Sequence, residues 1–373
     1  ERTLFLNRPS RPAWDVPTAL PARVGRYLIE CEIAHGGMGA VLRARDPNLG
    51  RDVAVKVLLE AHGDDAEMQH RFVEEARYVS GVSVEGVYSR NFGKTKAFAE
   101  KCELQWANES FEDLLRHSDA VYIASPHASH YDYAKQAIQA GVHVLCEKPM
   151  TLSKQSTKEL YDLAASRRVV LVEAIKTAFS PGFQRMVAVA RIGTIGTVRS
   201  VDATFTKLVS EGRELHGDDG GSISELATYP LVAIVKLLGT DFTDVRTYSY
   251  RPEGSEVELF SRIDVTYPHA IASARTGIGV KAEGDLVVSG SRGYVYVPAP
   301  WWKTEYFEAR FENQANNKKY YYKFAGDGLR YELAEFAWLI RNSAPESFKL
   351  RAAESIAIAD IIEQARSQAT IFG

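Results

Sequence analysis

The sequence predicts an α/β protein with two kinds of sheet, and three observations carry that expectation. From Val84 to Pro149 short apolar runs alternate with helical stretches, the order of a parallel, doubly wound sheet. From Val198 long alternating runs succeed one another across turns, the pattern of a large, mostly antiparallel sheet in an α+β domain. Before Val84, three short β-type runs and one helix form a segment that fits neither pattern.

Each element has its own warrant. "RYLIECEI", "AVLRARD" and "DVAVKVLL" are β-type runs separated by the turns "GGMG" and "PNLG". "AEMQHRFVEEARYVSG" is helical, with Met68, Phe72, Ala76 and Val79 on one face. "EGVYS" is a strand and "GKTKAFAEKC" a helix. "ESFEDLLRHS" is a helix opened by Ser110, with Asp113 where a capping box usually has Glu. "DAVYIAS" is a buried strand, "HYDYAKQAIQAG" a helix closed by Gly141, and "VHVLCEKP" a strand. Two more helices flank "VVLVEAI". The later strands are "VRSVDATFTKLV", "EVELFSRIDVTY", "AIASARTGIG", "GDLVVSG" and "GYVYVPAP", and the end is helical.

At 373 residues and 45% hydrophobic content, the chain can bury a sizeable core in two or three domains. A formal net charge of −3 gives no global attraction to nucleic acid or anionic membranes, and no apolar run is long enough to span a bilayer. Cys31, Cys102 and Cys146 lie far apart without CxxC spacing, so neither a zinc site nor a disulfide framework is expected, and the usage fits a reducing cytoplasm. Residues 1–23 carry four prolines and read as a Pro-rich linker or tail.

Two resemblances follow. "EIAHGGMGAVLRARD", "VAVKVL" and "RFVEEAR" together resemble the small lobe of bacterial eukaryotic-like serine/threonine protein kinases, over residues 24–83 at most. The resemblance assigns Gly36, Gly39 and Val41 to a glycine-rich loop over ATP phosphates. It assigns Lys56 to the phosphates and Glu75 to the helix carboxylate that pairs with that lysine. No H-R-D catalytic loop and no D-F-G follows, so phosphoryl transfer is not expected and ATP binding is at most vestigial.

From residue 84 to the end the chain resembles the glucose–fructose oxidoreductase/inositol dehydrogenase (Gfo/Idh/MocA) family. The marks are "AGVHVLCEKPM", "ASPHASH" for the T-P-N-x-x-H turn, "LVEAIKTAFSPGF", "IGTVRSVDATF", "GGSISELATYP" and "GYVYVPAPWW". The resemblance implies a Rossmann-like cofactor domain over 84–150 and a substrate and oligomerisation domain over 151–373. It also implies an NADP or NAD cofactor, a sugar, polyol or cyclic alcohol substrate, and a homo-oligomer formed through the C-terminal sheet. Lys148 of the E-K-P motif is the implied catalytic residue, with Tyr229, Glu225 and His130 as companions. Tyr229 is expected to have its phenol pKa lowered by the Lys148 ammonium. Ser89, Arg90, Asn91, Ser125, Pro126, Glu147, Lys148 and Pro149 are the implied cofactor contacts. An Arg at the turn after the second strand suits a 2′-phosphate, which favours NADP. Trp301 and Trp302 are candidates for sugar stacking, although an aromatic sheet-edge cluster is the more ordinary role.

The family's first strand, glycine-rich turn and first helix have no counterpart before Val84 in this reading, so the doubly wound sheet is expected to be incomplete. Two arrangements are open. Val53–Leu58 could fill the vacant central position, with the helix that follows as crossover, or it could stay antiparallel within its own hairpin. In the first case Asp64 and Asp65 would stand at the helix N-terminus and repel a pyrophosphate.

Overall fold

The computed structural model describes the backbone of residues 23–24, 27–36, 39–45, 52–58 and 66–373, and side chains from residue 70 onward. The Pro-rich stretch up to residue 22 and the loop carrying Asp64 and Asp65 lie outside the described residues. The chain divides into two units, Glu1–Glu67 and Met68–Gly373.

In the first unit, β1 (Arg23–Val24), β2 (Tyr27–Gly36), β3 (Gly39–Arg45) and β4 (Asp52–Leu58) form one antiparallel sheet in chain order. Gly36 and Gly39 face each other at the end of the β2–β3 hairpin, and Val41 is the cross-strand neighbour of Lys56. Val55 pairs with Leu42 of β3. The arrangement that inserts Val53–Leu58 into the doubly wound sheet is therefore overturned. A hairpin partner a few residues away is reached at a far smaller loop-closure cost than a distant parallel one.

The second unit opens with α1 (Ala66–Ala76), whose first two residues precede the unit boundary. Then follow β5 (Gly86–Tyr88), α2 (Phe92–Cys102), β6 (Trp106–Asn108), α3 (Phe111–Arg116), β7 (Ala120–Ile123), α4 (His130–Gln139) and β8 (His143–Glu147). Next come α5 (Lys154–Arg167), β9 (Leu171–Ala174), α6 (Lys176–Phe179) and α7 (Pro181–Arg191). Local chemistry sets these limits. Ser110 accepts from the Asp113 amide at 3.0 Å to start α3, and Gly141, at φ +81°, follows the end of α4. All strand pairs here are parallel, but they form two separate sheets, β5–β6 and β7–β8–β9. The parallel strands thus lie in two sheets among the described residues.

The α1 helix belongs to this unit by packing. Phe72, Ala76 and Val79 are buried in its main core, and the Phe72 ring stacks on Tyr122 of β7 at 3.7 Å and 3°.

The remainder comprises β10 (Val198–Thr206), α8 (Gly221–Leu226), α9 (Thr228–Leu238), β11 (Asp244–Tyr250), β12 (Phe260–Thr266), β13 (Ile271–Gly277), β14 (Leu286–Gly290) and β15 (Tyr294–Val297). β16 (Tyr306–Arg310), β17 (Lys318–Tyr321), α10 (Leu329–Arg341), α11 (Ala352–Ser367) and β18 (Thr370–Phe372) complete it. Nine strands form one sheet in the order β17-β16-β15-β14-β10-β13-β12-β11-β18. It is antiparallel apart from two pairs, β10–β13 and β11–β18. Helix α9 is apolar on nearly all sides because it is buried. Leu231, Ile234 and Val235 share one core with Val201, Ala203, Ile263 and Val288 of the sheet.

Candidate active site

Lys148 follows β8 directly, and its peptide bond to Pro149 is cis. The side chain reaches across to the start of the second half of the unit. Its Nζ donates to the Glu225 backbone carbonyl at 3.0 Å and lies 5.3 Å from the centroid of the Tyr229 ring. Glu225 lies in the last turn of α8 and Tyr229 in the first turn of α9, so two consecutive helices present both residues to one lysine. Glu147 is held from both sides, Oε1 accepting from the Tyr122 hydroxyl at 2.5 Å and Oε2 from the Lys148 amide at 3.1 Å. Burial, reinforced by the Glu147 charge, pushes the Tyr122 phenol well above its ordinary pKa, so it stays the donor.

The Glu225 carboxylate has partners of its own. Arg213 donates to it at 2.9 and 3.5 Å, and His127 Nδ1 lies 3.7 Å from its Oε1. Burial raises the Glu225 pKa, against the opposing pull of Lys148 and Arg213. His127 is 8% exposed. Burial, with Lys148 and Arg213 adding to it, lowers the imidazole pKa to about 2, so the ring is neutral.

Tyr229 departs from the expectation of an activated phenol. Burial outweighs the Lys148 charge and pushes its pKa up to about 12. At neutral pH it is a hydrogen-bond donor beside the lysine, not a base. Its ring stacks on Phe205 at 4.5 Å and 8°, and half-buried Trp302 leans on Phe205 at 4.1 Å. Trp301, by contrast, is fully buried and donates its indole N–H to the Thr204 carbonyl, a core role that leaves no face for a sugar.

His130 is not open to a ligand either. It is fully buried, and its ring nitrogens lie 2.9 Å from the Pro149 carbonyl and 2.7 Å from the Ser125 carbonyl. It ties the turn after β7 to the turn after β8, positioning Lys148 from behind.

The ends of β5, β7 and β8 carry the other implied cofactor contacts, at the carboxyl ends of parallel strands where open α/β sheets receive ligands. Ser89 is engaged locally by Thr95 and the Asn91 carbonyl, and Asn91 caps α2 by accepting from the Lys94 amide. Arg90 is exposed and has no ion pair among the described residues, which leaves its guanidinium available to a phosphate. Ser125 accepts from Ser129, and the Pro126 carbonyl accepts from the same hydroxyl. These residues fit a nicotinamide dinucleotide at its two ends. No G-x-G-x-x-G occurs in the chain to cradle the pyrophosphate between them. Among the described residues no cluster of His, Cys, Asp or Glu could hold a metal ion.

Glu75 has partners within the second unit. Its carboxylate accepts from the backbone amides of Asp327 and Arg330 and from the Arg330 side chain, capping the start of α10. The side chain of Lys56 lies outside the described residues.

Residues 63–174 match the family model described as "Oxidoreductase family, NAD-binding Rossmann fold". The Gfo/Idh/MocA match begins some 20 residues before Val84, so it takes in α1, which the kinase resemblance had claimed. A scyllo-inositol 2-dehydrogenase (NADP(+)) of Bacillus subtilis is 28% identical over 317 residues, covering 80% of this chain and 93% of that protein. The trans-1,2-dihydrobenzene-1,2-diol dehydrogenase of Bos taurus is 27% identical over 294 residues, covering 76% and 88%. In fold the chain is similar to KijD10, a 3-ketoreductase from Actinomadura kijaniata, with a TM-score of 0.73 at 20% identity, covering 83% of this chain and 96% of that one.

Sequence reasoning missed His127 and Arg213. His127 occupies the place that the T-P-N-x-x-H turn gives to Asn, a departure visible in "SPHASH". Arg213 sits in a polar loop where nothing in the local pattern marks it.

Proposed function

We propose that the protein is an NADP-dependent oxidoreductase that interconverts a secondary alcohol and a ketone on a six-membered ring bearing an adjacent hydroxyl. The observation that carries this reading is Lys148. Its ammonium is fixed by the Glu225 carbonyl and the Tyr229 ring at the end of a parallel strand, beside the turns that suit a dinucleotide. The relatives' names support the substrate class: one acts on scyllo-inositol, the other on a trans-1,2-diol of a dihydrobenzene ring.

A bound nicotinamide supplies or accepts the hydride. In the reducing direction Lys148 donates a proton to the carbonyl oxygen as the alcohol forms, and in the oxidising direction its amine takes the hydroxyl proton back. Tyr229, neutral at pH 7, donates a hydrogen bond to the same oxygen, and its stack on Phe205 limits where a ring can lie. Arg90 accounts for a preference for the 2′-phosphate. Because the glycine cradle is missing from the chain, we expect cofactor affinity weaker than in a dehydrogenase that has one, since several charge-assisted hydrogen bonds are lost. We also propose that a second copy associates through the nine-stranded sheet.

The test is steady-state turnover of scyllo-inositol and trans-1,2-cyclohexanediol with NADP⁺. Turnover with NADP⁺ that exceeds turnover with NAD⁺ supports the reading. No turnover of any polyol with either cofactor, at millimolar concentrations, rejects it.

A further inference from the structure

We infer that residues 210–216 form a hinged lid over Lys148, and that Arg213 is the positioning residue that latches it shut. The inference rests on the oxidoreductase reading above only in taking Lys148 as the reacting residue, and it adds how that residue is closed off. Three observations converge on it. First, the connection from β10 to α8 runs over residues 207–220, and its one regular piece is the short turn Arg213–Leu215. Connections of this length are uncommon in compact units, and covering an active site is one of their main uses.

Second, the hydrogen bonds mark where this connection is held. Its root is tied to the sheet side, the Lys207 amide donating to the Gly277 carbonyl at 2.9 Å and the Val209 amide to the Ile278 carbonyl at 2.8 Å. Its far end is tied as well. The Gly217 amide donates to the Glu256 carboxylate at 3.0 Å, the His216 ring lies 3.6 Å from that carboxylate, and the Arg366 side chain donates to the Asp218 carbonyl. Between these anchors, among the described residues, the backbone amides of 210–216 bond only within the segment, Leu215 to Gly212 and His216 to Arg213. Such a stretch belongs to the low-stability end of a structure. A glycine stands on either side of the turn. Gly212, at φ +125° and ψ 175°, occupies a region open essentially to glycine alone, and Gly217 has φ +71°. Both are placed to absorb the change in backbone angle that a hinge requires.

Third, the segment is held down at the site itself. Half-exposed Arg213 donates to the buried Glu225 carboxylate at 2.9 and 3.5 Å. The same Glu225 gives its backbone carbonyl to Lys148 Nζ, so the latch closes on the residue that holds the lysine. Leu215 packs on a small apolar cluster of Leu226, Val257 and Ile278, separate from the main core. Phe205, the stacking partner of Tyr229, packs against that cluster too. Opening the segment exposes little apolar surface but leaves a buried carboxylate without its guanidinium, and that imbalance keeps the lid shut. Shut, it shields Lys148 from water.

The experiment measures how fast Lys148 is reached, without substrate or turnover. The full chain and its variants Arg213→Ala, Arg213→Lys and Glu225→Gln are methylated with formaldehyde and dimethylamine–borane. Label at Lys148 is followed by peptide mass spectrometry, with exposed Lys158 as the internal reference. Hydrogen–deuterium exchange of the same proteins is read over 207–220. The expected result is labelling of Lys148 about fivefold faster in Arg213→Ala, with Lys158 unchanged. Glu225→Gln weakens the pair without leaving a buried charge behind, and it shows the same rise. Arg213→Lys keeps the cation without the fork and recovers part of the protection. Exchange quickens over 210–216 while the amides of Lys207 and Val209 hold. Equal Lys148 labelling in all four proteins overturns the inference. So does exchange that quickens equally at the root and in the lid, which marks general loosening instead of a latch. These rates in a protein that turns over no polyol keep the lid and reject the oxidoreductase reading alone.

Discussion

At the scale of single residues, the E-K-P lysine was legible because a motif fixes its place in the chain. The company it keeps was not legible. Lys148 meets a carbonyl and a ring that come 77 and 81 positions later, and no local pattern reports which atom of Glu225 it will find. Replacing Lys148 with Met should lower turnover by at least about 100-fold, the scale of a lost proton donor, while NADPH affinity changes less than about threefold. Stopped-flow and binding measurements on the variant separate the two. His127 gives a second test, in pH. Its pKa falls from 6.5 in the unfolded chain to about 2 in the fold. Below pH 6.5 the unfolded chain takes up a proton that the folded chain refuses, so the stability this group contributes above 6.5 is lost as pH falls towards 2. His127→Asn removes that component. Unfolding free energies from urea titrations at pH 6.5 and 4.5 should then fall less steeply for the variant, by up to about 1.4 kcal/mol per pH unit. An identical pH slope in the two proteins contradicts a buried neutral imidazole.

At the scale of elements, periodicity located most helices and strands because apolar spacing is a local property. It passed over α9, β6, β11, β16, β17 and β18, and it could not tell that β10 and β13 pair in parallel, since pairing direction depends on distant partners. The α1 helix shows the same limit more sharply. "RFVEEAR" fits two families as a string. Only packing assigns it, through Phe72 on Tyr122 and Glu75 at the start of α10. Glu75→Ala would leave two backbone amides and the Arg330 guanidinium without their acceptor. It should destabilise the second unit by about 2–3 kcal/mol, read as a lower urea midpoint with an unchanged slope. An unmoved midpoint would show that α1 does not hold α10 in place.

At the scale of the whole molecule, the parallel region is where a local reading left the strand pairing open. Its strands fall into two sheets, and β4, the one upstream run that could have bridged them, is paired within its own hairpin instead. The sequence could be read for both outcomes, because a β-branched run satisfies either partner. Loop length decided between them. We propose that a dinucleotide binds across the ends of β5, β7 and β8, held by Arg90 at one end and the Lys148 turn at the other. Calorimetric titration of the full chain with NADPH, NADH and Mg·ATP tests it most directly. NADPH should bind more tightly than NADH, and Arg90→Ala should remove the difference. Binding of Mg·ATP alone, or of none of the three, would contradict it.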